Sequence, residues 1–225
     1  MTELQHSYPT VENGAGLCYG GCQSQMSQKA LRRCGCGLVC ALDLLVYLHR
    51  WHRGCTVPFF QDFSVDPIDG AAYEQAITRL RRRWLPIVYP LGTSGLALAW
   101  GFNRFFRKFG LPLRAKWAVK WEKLYSAIEE MLQRDIPVVL AVGQNFPRIW
   151  RKDKLTFYRK TADGGYRPAN FTRAHFVNVT GMDECWLQVS SWGKCYYINR
   201  EEYSQFAKQH SLRWLCNIVS IQEVN

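Results

Sequence analysis

The sequence lacks any run of about 18 consecutive apolar residues, the length that a membrane-spanning helix requires. Its first 19 residues are polar, with Pro9 and several glycines, and they lack the apolar core of a secretory signal peptide. We therefore expect a cytoplasmic protein without a membrane partner, in which residues 1–19 form a flexible N-terminal segment.

Internal repeats and low-complexity linkers are also lacking, so nothing in the sequence divides the chain into parts. The 225 residues are enough for a substantial core, and a chain of this length more often forms one domain than two. Hydrophobic residues make up 48% of the sequence and aromatic residues 14%, which excludes a disordered chain. We expect a single domain spanning residues 1–225, present as a monomer.

Acidic residues are scarce: 18 Asp and Glu stand against 29 Lys and Arg, which gives a formal net charge of +11. Such a surplus can attract nucleic acid, anionic lipid or an acidic protein. The basic clusters lack the interleaved glycine and aromatic residues of an RNA-binding sheet, and we see no helix-turn-helix signature. We interpret them as solvated surface and do not expect nucleic-acid binding. They comprise Arg79, Arg81, Arg82 and Arg83; Arg104, Arg107, Lys108, Arg114, Lys116 and Lys120; and Arg148, Arg151, Lys152, Lys154, Arg159 and Lys160.

The nine cysteines lack the paired spacing of a usual zinc site, in which about two to four residues separate the members of each pair. Cys34 and Cys36 are separated by only one residue, and Cys40 falls inside an apolar helix pattern. Cys216 falls in an apolar strand pattern, so it and Cys40 are expected to be small buried hydrophobic groups. We predict reduced thiols, no metal and no other cofactor.

Hydrophobic periodicity changes from helical to strand-like along the chain. Apolar residues recur at three- and four-residue steps in the first half, and alternation with short β-branched runs follows after residue 135. Helices first and an antiparallel sheet second is an α+β order. Helices are predicted over 37–51, 70–84, 94–109, 122–134 and 200–208, and strands over 136–142, 155–159, 175–180, 185–190, 195–198 and 213–221, with Tyr166 in a hairpin with 155–159.

Two distant segments carry the candidate chemistry. Cys36-Gly37 opens the first long apolar helix, where the helix dipole and the unpaired backbone N–H groups favour a thiolate. His175 leads a strand pattern that continues to Gly181. An imidazole placed beside the thiol would complete the pair with which cysteine hydrolases generate a nucleophile.

These segments, in this chain order, resemble the papain-like cysteine peptidase superfamily, and most closely its bacteriocin-processing (double-glycine leader) peptidase branch. The resemblance covers about 25–50 and 135–200, including the strand pattern that begins at Asp135 and the segment Val189–Gly193, which is similar to an Asn-Ser-Trp-Gly strand. It implies an α+β papain-like fold, with N-terminal helices packed on a C-terminal antiparallel sheet, and a bacterial source.

The resemblance also implies roles for individual residues. Cys36 would be the nucleophile and His175 the general base and then acid. An Asn or Asp that orients the imidazole in these families is replaced by Ser190, with Ser191 beside it. A serine hydroxyl can accept a hydrogen bond but supplies no charge to stabilise an imidazolium. Asp183, in the preceding turn, could take this role only if the turn folds back.

The oxyanion donor in these families is a Gln shortly before the nucleophile. Gln28 lies six residues before Cys34, and this spacing favours Cys34 as the nucleophile. The Gly-Cys-Gly setting and the helix start favour Cys36, for which Gln23, in a plausible turn, is a second candidate donor. We prefer Cys36 and leave both glutamines open.

The sequence therefore predicts a cysteine peptidase or amide hydrolase that acts on a peptide or protein substrate by thiolate acyl transfer. The alternative is a non-catalytic papain-like domain that binds a peptide or an acidic partner in the same cleft. The serine at position 190 is the best support for that alternative.

Overall fold

The computed structural model describes residues 1–14, 16–148 and 150–224, and these residues form six α-helices and twelve strands. The helices precede most of the strands in the chain, so the predicted α+β class is confirmed. The helices are α1 (Lys29–Cys34), α2 (Cys36–Trp51), α3 (Gly70–Arg83), α4 (Gly95–Phe109), α5 (Leu124–Gln133) and α6 (Arg200–Gln209).

The strands form a large antiparallel sheet and a small one. The strands are β1 (Thr2–Glu3), β2 (Thr10–Asn13), β3 (Gly16–Tyr19), β4 (Ile68–Asp69), β5 (Leu113–Trp117), β6 (Val138–Val142), β7 (Leu155–Lys160), β8 (Tyr166–Thr172), β9 (His175–Met182), β10 (Trp186–Ser191), β11 (Lys194–Asn199) and β12 (Ile218–Glu223). The large sheet has the order β5-β12-β6-β9-β10-β11-β7-β8, with β1 also paired to β9, and the small sheet has the order β3-β2-β4.

Helix α2 is the central element of the fold. Its residues from Gly37 to His49 are all buried, so the helix has no solvent-facing side over that stretch. It packs against β9 and β6 of the large sheet and against α3 and α4. A helix that is apolar around its whole circumference is buried on all sides, which is the arrangement seen here.

Local signals account for the ends of the other helices. Asp69 and Ser94 cap α3 and α4 by accepting hydrogen bonds from the backbone N–H of Ala72 and Ala97. Helix α4 ends at Gly110, which has a left-handed φ of 63° that glycine adopts without steric cost. Asn199 caps α6 in the same way as the other two caps.

The N-terminal segment, expected to be flexible, contributes strands to both sheets. Thr2 pairs with Met182 of β9, and the N–H of Leu4 donates to the carbonyl of Thr180 at 3.1 Å. Strands β2 and β3 form a hairpin, and β2 also pairs in parallel with β4. These backbone hydrogen bonds connect the first 19 residues to both halves of the chain.

The predicted elements correspond to observed ones, with one misplaced boundary. The strand predicted over 213–221 begins only at Ile218, because the N–H groups of Leu215 and Cys216 both donate to the carbonyl of Leu212 and form a turn. Helix α1 and strands β1–β5 were not predicted. Strand β5 does carry a strand signal in its sequence, because apolar and basic residues alternate along it, and they are alternately buried and exposed in the structure.

One cluster of buried apolar side chains runs from Val11 to Ile221 and includes both halves of the sequence. The aromatic residues Phe59, Phe60 and Phe105 lie within or against it. None of the helices formed by the described residues combines the length and the apolar character needed to cross a membrane.

The burial of α2 predicts a large stability loss on truncation of its side chains. Leu42→Ala, at a position with 0% exposure, should lower the free energy of unfolding by about 2–5 kcal/mol, because it removes buried methyl groups and leaves a cavity. Leu96→Ala, at a position with 54% exposure in α4, should change it by about 0.5 kcal/mol or less. Urea denaturation of both variants checks this, and equal losses would contradict the central position of α2.

Candidate active site

Cys36 is the first residue of α2. The preceding helix α1 ends at Cys34 and is capped by Gly35, whose N–H donates to the carbonyl of Leu31 at 2.8 Å, and the chain then turns directly into α2. The first N–H groups of a helix have no partner within it, and the helix dipole places partial positive charge there. The sulfur of Cys36, a partly exposed residue, lies against the backbone amides of Gly37 and Phe176.

His175 is the first residue of β9 and is 8% exposed. It pairs with Val142, the last residue of β6, so that the imidazole stands at one end of two central strands. Because the amide of the following residue, Phe176, reaches the sulfur of Cys36, the start of β9 and the start of α2 meet. The two predicted catalytic residues are thus brought together from positions 139 residues apart.

The hydroxyl that contacts the imidazole belongs to Ser191. His175 Nε2 and Ser191 Oγ lie 2.8 Å apart, whereas Ser190 donates to the carbonyl of Tyr19 at 2.8 Å. The expected pairing of Ser190 with the imidazole is therefore corrected by one residue. Neighbouring residues of a strand project to opposite faces, so a shift of one position changes which hydroxyl faces the histidine.

Trp192 covers one face of the imidazole ring. Its ring stacks on that of His175 with the centroids 4.3 Å apart and the planes inclined by 8°. Trp192 and Gly193 form the two-residue turn between β10 and β11, with φ values of 48° and 71°. A left-handed φ is uncommon for a bulky residue and is found most often where the surrounding structure requires it.

Burial sets the electrostatics of the pair. It raises the pKa of the Cys36 thiol above its usual value, although the amides of Phe176 and Gly37 act in the opposite direction. Burial likewise lowers the pKa of His175 to about 3. Both directions favour the neutral thiol and the neutral imidazole over the thiolate–imidazolium pair that the sequence led us to expect.

A small cavity joins these groups. The space open to the centre of a water molecule is about 10 Å³, enough for roughly one water. Its lining includes the preferred candidates Cys36, His175, Ser190 and Gln23, together with the buried carboxyl group of Asp43. The lining residues are Gly21, Gln23, Cys36, Val39, Cys40, Asp43, His175, Phe176, Ser190, Ser191 and Trp192.

The two candidate glutamines lie in different places. Gln23 lines the cavity and begins a short 3₁₀ turn, Gln23–Gln25, with its Nε2 donating to the carbonyl of Arg32 at 3.3 Å. Gln28 precedes α1 and is engaged elsewhere: it donates to Thr78 Oγ1 at 2.8 Å and accepts from Arg81 at 3.1 Å. Of the two, only Gln23 lies beside Cys36.

Cys34 and Asp183, the alternatives to Cys36 and Ser190, lie away from this cavity. Cys34 is the last residue of α1, and its thiol contacts the carbonyl of Pro90 at 3.2 Å. Asp183 accepts hydrogen bonds from the N–H groups of Cys185 and Trp186 within its own turn. Neither residue lines the cavity that holds Cys36 and His175.

All nine cysteines belong to the described residues and are free thiols, and Cys40 and Cys216 are buried as predicted. Within residues 1–14, 16–148 and 150–224, no group of three or more His, Cys, Asp or Glu side chains is arranged to hold a metal ion.

Asp43 is a site residue that the sequence interpretation missed. The three- and four-residue apolar repeat of α2 leaves Asp43 on the more polar side of the helical pattern, but the residue is 1% exposed and lines the cavity. A charged residue inside an otherwise apolar helix was the available signal, because such residues are seldom fully buried unless they have partners.

No protein-family model and no curated protein sequence matches the chain. A solved structure does match: the crystal structure of a Bacillus anthracis protein that carries a provisional description as a C39-like peptidase. The match covers 99% of this chain and 98% of that one, with a TM-score of 0.51 and 13% sequence identity. The chain has a papain-like fold. The predicted arrangement of N-terminal helices on a C-terminal antiparallel sheet is confirmed, whereas the bacteriocin-processing branch stays a prediction.

The raised pKa of Cys36 predicts how its reactivity depends on pH. Alkylation of Cys36 by iodoacetamide should be slow at pH 7 and should keep rising above about pH 8.5, because the thiolate forms later than in an ordinary cysteine. Mass spectrometry resolves each thiol, and the exposed Cys185 serves as an internal reference in the same sample. A rate that is already maximal below pH 7 would instead show a preformed ion pair with His175.

Proposed function

We propose that this protein is a cysteine peptidase or amide hydrolase that transfers the acyl group of a peptide to water through a thioester on Cys36. One observation carries the proposal: the thiol at the start of α2, the imidazole at the start of β9, Ser191 and Gln23 line a single cavity. The papain-like fold and the description given to the matching Bacillus anthracis protein support the same reaction class.

The reaction uses the His175 tautomer in which the nitrogen that faces Ser191 carries the proton. With Nε2–H donating to Ser191 Oγ, Nδ1 carries the lone pair that accepts a proton. Transfer of the Cys36 thiol proton to Nδ1 frees the sulfur to attack the peptide carbonyl carbon. The resulting imidazolium then gives this proton to the departing amine, which leaves the acyl group bound to sulfur as a thioester.

Water completes the cycle by the reverse proton path. His175 takes a proton as the water oxygen attacks the thioester carbonyl, and it returns that proton to sulfur as the bond to Cys36 breaks. Each tetrahedral intermediate carries an oxyanion. The backbone N–H of Cys36, which has no partner within α2, and the side-chain amide of Gln23 are the donors that we assign to it.

The electrostatics favour proton transfer during attack over a thiolate formed in advance. Burial keeps both groups neutral, and the Ser191 hydroxyl supplies no negative charge to stabilise the imidazolium. In a serine protease, loss of the carboxylate that orients the histidine lowers kcat by about 10⁴. We therefore expect a modest rate, and a substrate whose binding displaces some of the side chains around the cavity.

The alternative is a papain-like domain that binds a peptide without cleaving it. The small size of the cavity and the uncharged pair are the observations that favour it. In both cases the ligand is a peptide, and the two functions differ in whether Cys36 forms a bond to it.

A peptide library with mass-spectrometric readout tests the function. The wild-type protein should cleave at least one peptide, and Cys36→Ala should lower kcat by at least about 10³, because it removes the nucleophile. His175→Ala should cause a loss of similar size. Cys34→Ala is the matched control, since it removes a neighbouring thiol that does not line the cavity.

Two other outcomes would change the assignment. A loss on Cys34→Ala with full activity of Cys36→Ala would transfer the role of nucleophile to Cys34. Peptides that bind the wild-type protein and Cys36→Ala equally well, and remain intact with both, would identify a binding domain.

The glutamines form a second matched pair. Gln23→Ala should lower kcat by about 10²–10³, the usual effect of removing an oxyanion donor, with little change in KM. Gln28→Ala should leave kcat within about twofold, because its side chain contacts Thr78 and Arg81 instead of the cavity. Steady-state kinetics on the peptide identified above measures both, and the reverse result would assign the oxyanion site to Gln28.

A further inference from the structure

Asp43 shares one face of α2 with the candidate nucleophile. It lies seven positions after Cys36 and three after Cys40, and residues at these spacings stand above one another along a helix. All three line the same cavity. The carboxyl group does not contact the imidazole, whose Nε2 is engaged by Ser191. Any effect of Asp43 on the imidazole must therefore pass through other residues.

The partners of the Asp43 carboxyl are uncharged donors. The hydroxyl of Tyr73 donates to Oδ1 at 2.7 Å, and the hydroxyl of Tyr8 donates to Oδ2 at 3.2 Å. The backbone N–H of Gly21 reaches both oxygens, at 3.0 and 3.2 Å. Burial raises the pKa of Asp43 to about 7, against the effect of these hydrogen bonds. A buried carboxyl is retained here at a stability cost, which suggests that it has a function.

The backbone of residues 19–23, which we call the 19–23 loop, lies directly on this carboxyl group. A Cβ atom at Gly20 would stand 2.5 Å from Asp43 Oδ2 and 2.6 Å from Ser190 Oγ, and one at Gly21 would stand 2.1 Å from the Tyr73 hydroxyl. Gly20 also has a left-handed φ of 73°. Only glycine allows the chain to approach the carboxyl this closely. Gln23 lies two residues after Gly21.

The same network reaches the strand that carries His175. The side-chain amide of Asn178, in β9, donates to the Tyr8 hydroxyl at 2.6 Å and to the carbonyl of Cys40 at 2.9 Å. The carboxyl of Asp43 is thus connected by hydrogen bonds to the 19–23 loop, to α3 through Tyr73, and to β9 through Tyr8 and Asn178. These are the elements that hold Gln23 and His175 around Cys36.

We propose that Asp43 is a positioning residue that holds the 19–23 loop against α2 and thereby places the amide of Gln23 at the oxyanion position beside Cys36. This inference rests on the proposed function for its catalytic consequence. Its structural part, that the loop depends on the carboxyl group, stands independently and is measured without any substrate.

Asp43→Asn is the principal test. In the wild-type protein both carboxyl oxygens accept hydrogen bonds. The amide keeps the shape of the side chain but replaces one of these oxygens with an NH₂ group, so one donor loses its acceptor. Hydrogen exchange measured by mass spectrometry should show at least about tenfold faster exchange at Gly21 and its neighbours in the loop, because this N–H now reaches two acceptor oxygens and in the variant would face one oxygen and one NH₂ group. For the active enzyme, kcat should fall by about 10–100-fold with KM within about twofold, since misplacement of a catalytic group by about 1 Å has effects of that size.

The chain offers a matched control at the other end of α2. Asp135 is 7% exposed and, like Asp43, accepts hydrogen bonds from a buried tyrosine hydroxyl, that of Tyr47, and from a backbone N–H, that of Gln5. Asp135→Asn and Tyr47→Phe remove a buried acceptor and its tyrosine donor away from the cavity, although Asp135 differs from Asp43 in also contacting the imidazole of His6. Tyr73→Phe is a milder variant of the Asp43 site, which keeps the carboxyl and removes one donor.

The outcomes separate the two proposals. The positioning role would be supported if Asp43→Asn and Tyr73→Phe both show faster loop exchange and lower kcat. The control variants should then show neither change, and Cys36 should be alkylated at the wild-type rate. Unchanged loop exchange in a folded Asp43→Asn would overturn it, as would an equal loss of turnover in Asp135→Asn. A wild-type protein that cleaves no peptide would overturn the proposed function, while loop exchange would still decide whether Asp43 holds the 19–23 loop.

Discussion

The burial of α2 on every side is the constraint on which the rest of the structure depends. A helix without a solvent face must be enclosed, and here the large sheet, α3 and α4 enclose it. Cys36 stands at its N-terminus, where backbone N–H groups remain unpaired. The elements that meet this end of the helix, the start of β9 and the 19–23 loop, are therefore the ones that supply the other groups of the candidate site.

The same burial decides the charge state of the site. Burial disfavours the charged form of every titratable group, and it raises the pKa of Cys36 and lowers that of His175. It also raises the pKa of Asp43 to about 7. A site of this kind holds its proton on sulfur at rest. The proposed reaction then depends on transferring that proton as the new bond forms, and the hydroxyl at Ser191 suits this proposal, because it contacts the imidazole without adding a charge.

Left-handed backbone conformations occur at two places that border the candidate site. Trp192 has a left-handed φ and stacks on His175, and Gly20 has a left-handed φ where the 19–23 loop touches Asp43. Such conformations are retained where the surrounding packing specifies them. Here one of them places an indole against the imidazole of His175, and the other places a backbone amide against the carboxyl group of Asp43.

Elements whose signal is local follow from the sequence pattern. The apolar repeat that gives α2, the cap and terminal glycine of α4, and the alternation within β9 all depend on neighbouring residues, so they could be predicted from the pattern. The order of Cys36 before the helices and His175 on a strand was enough for the fold class.

Features that depend on distant partners are set by tertiary contacts. The helical pattern places Asp43 on a polar side only if α2 has a solvent face, and the enclosing elements remove that face. The choice of Ser191 over Ser190 depends on which side of β10 faces the histidine, because a shift of one residue in a strand reverses the direction of a side chain. The choice of Gln23 over Gln28 depends on which part of the chain before α2 meets the cavity.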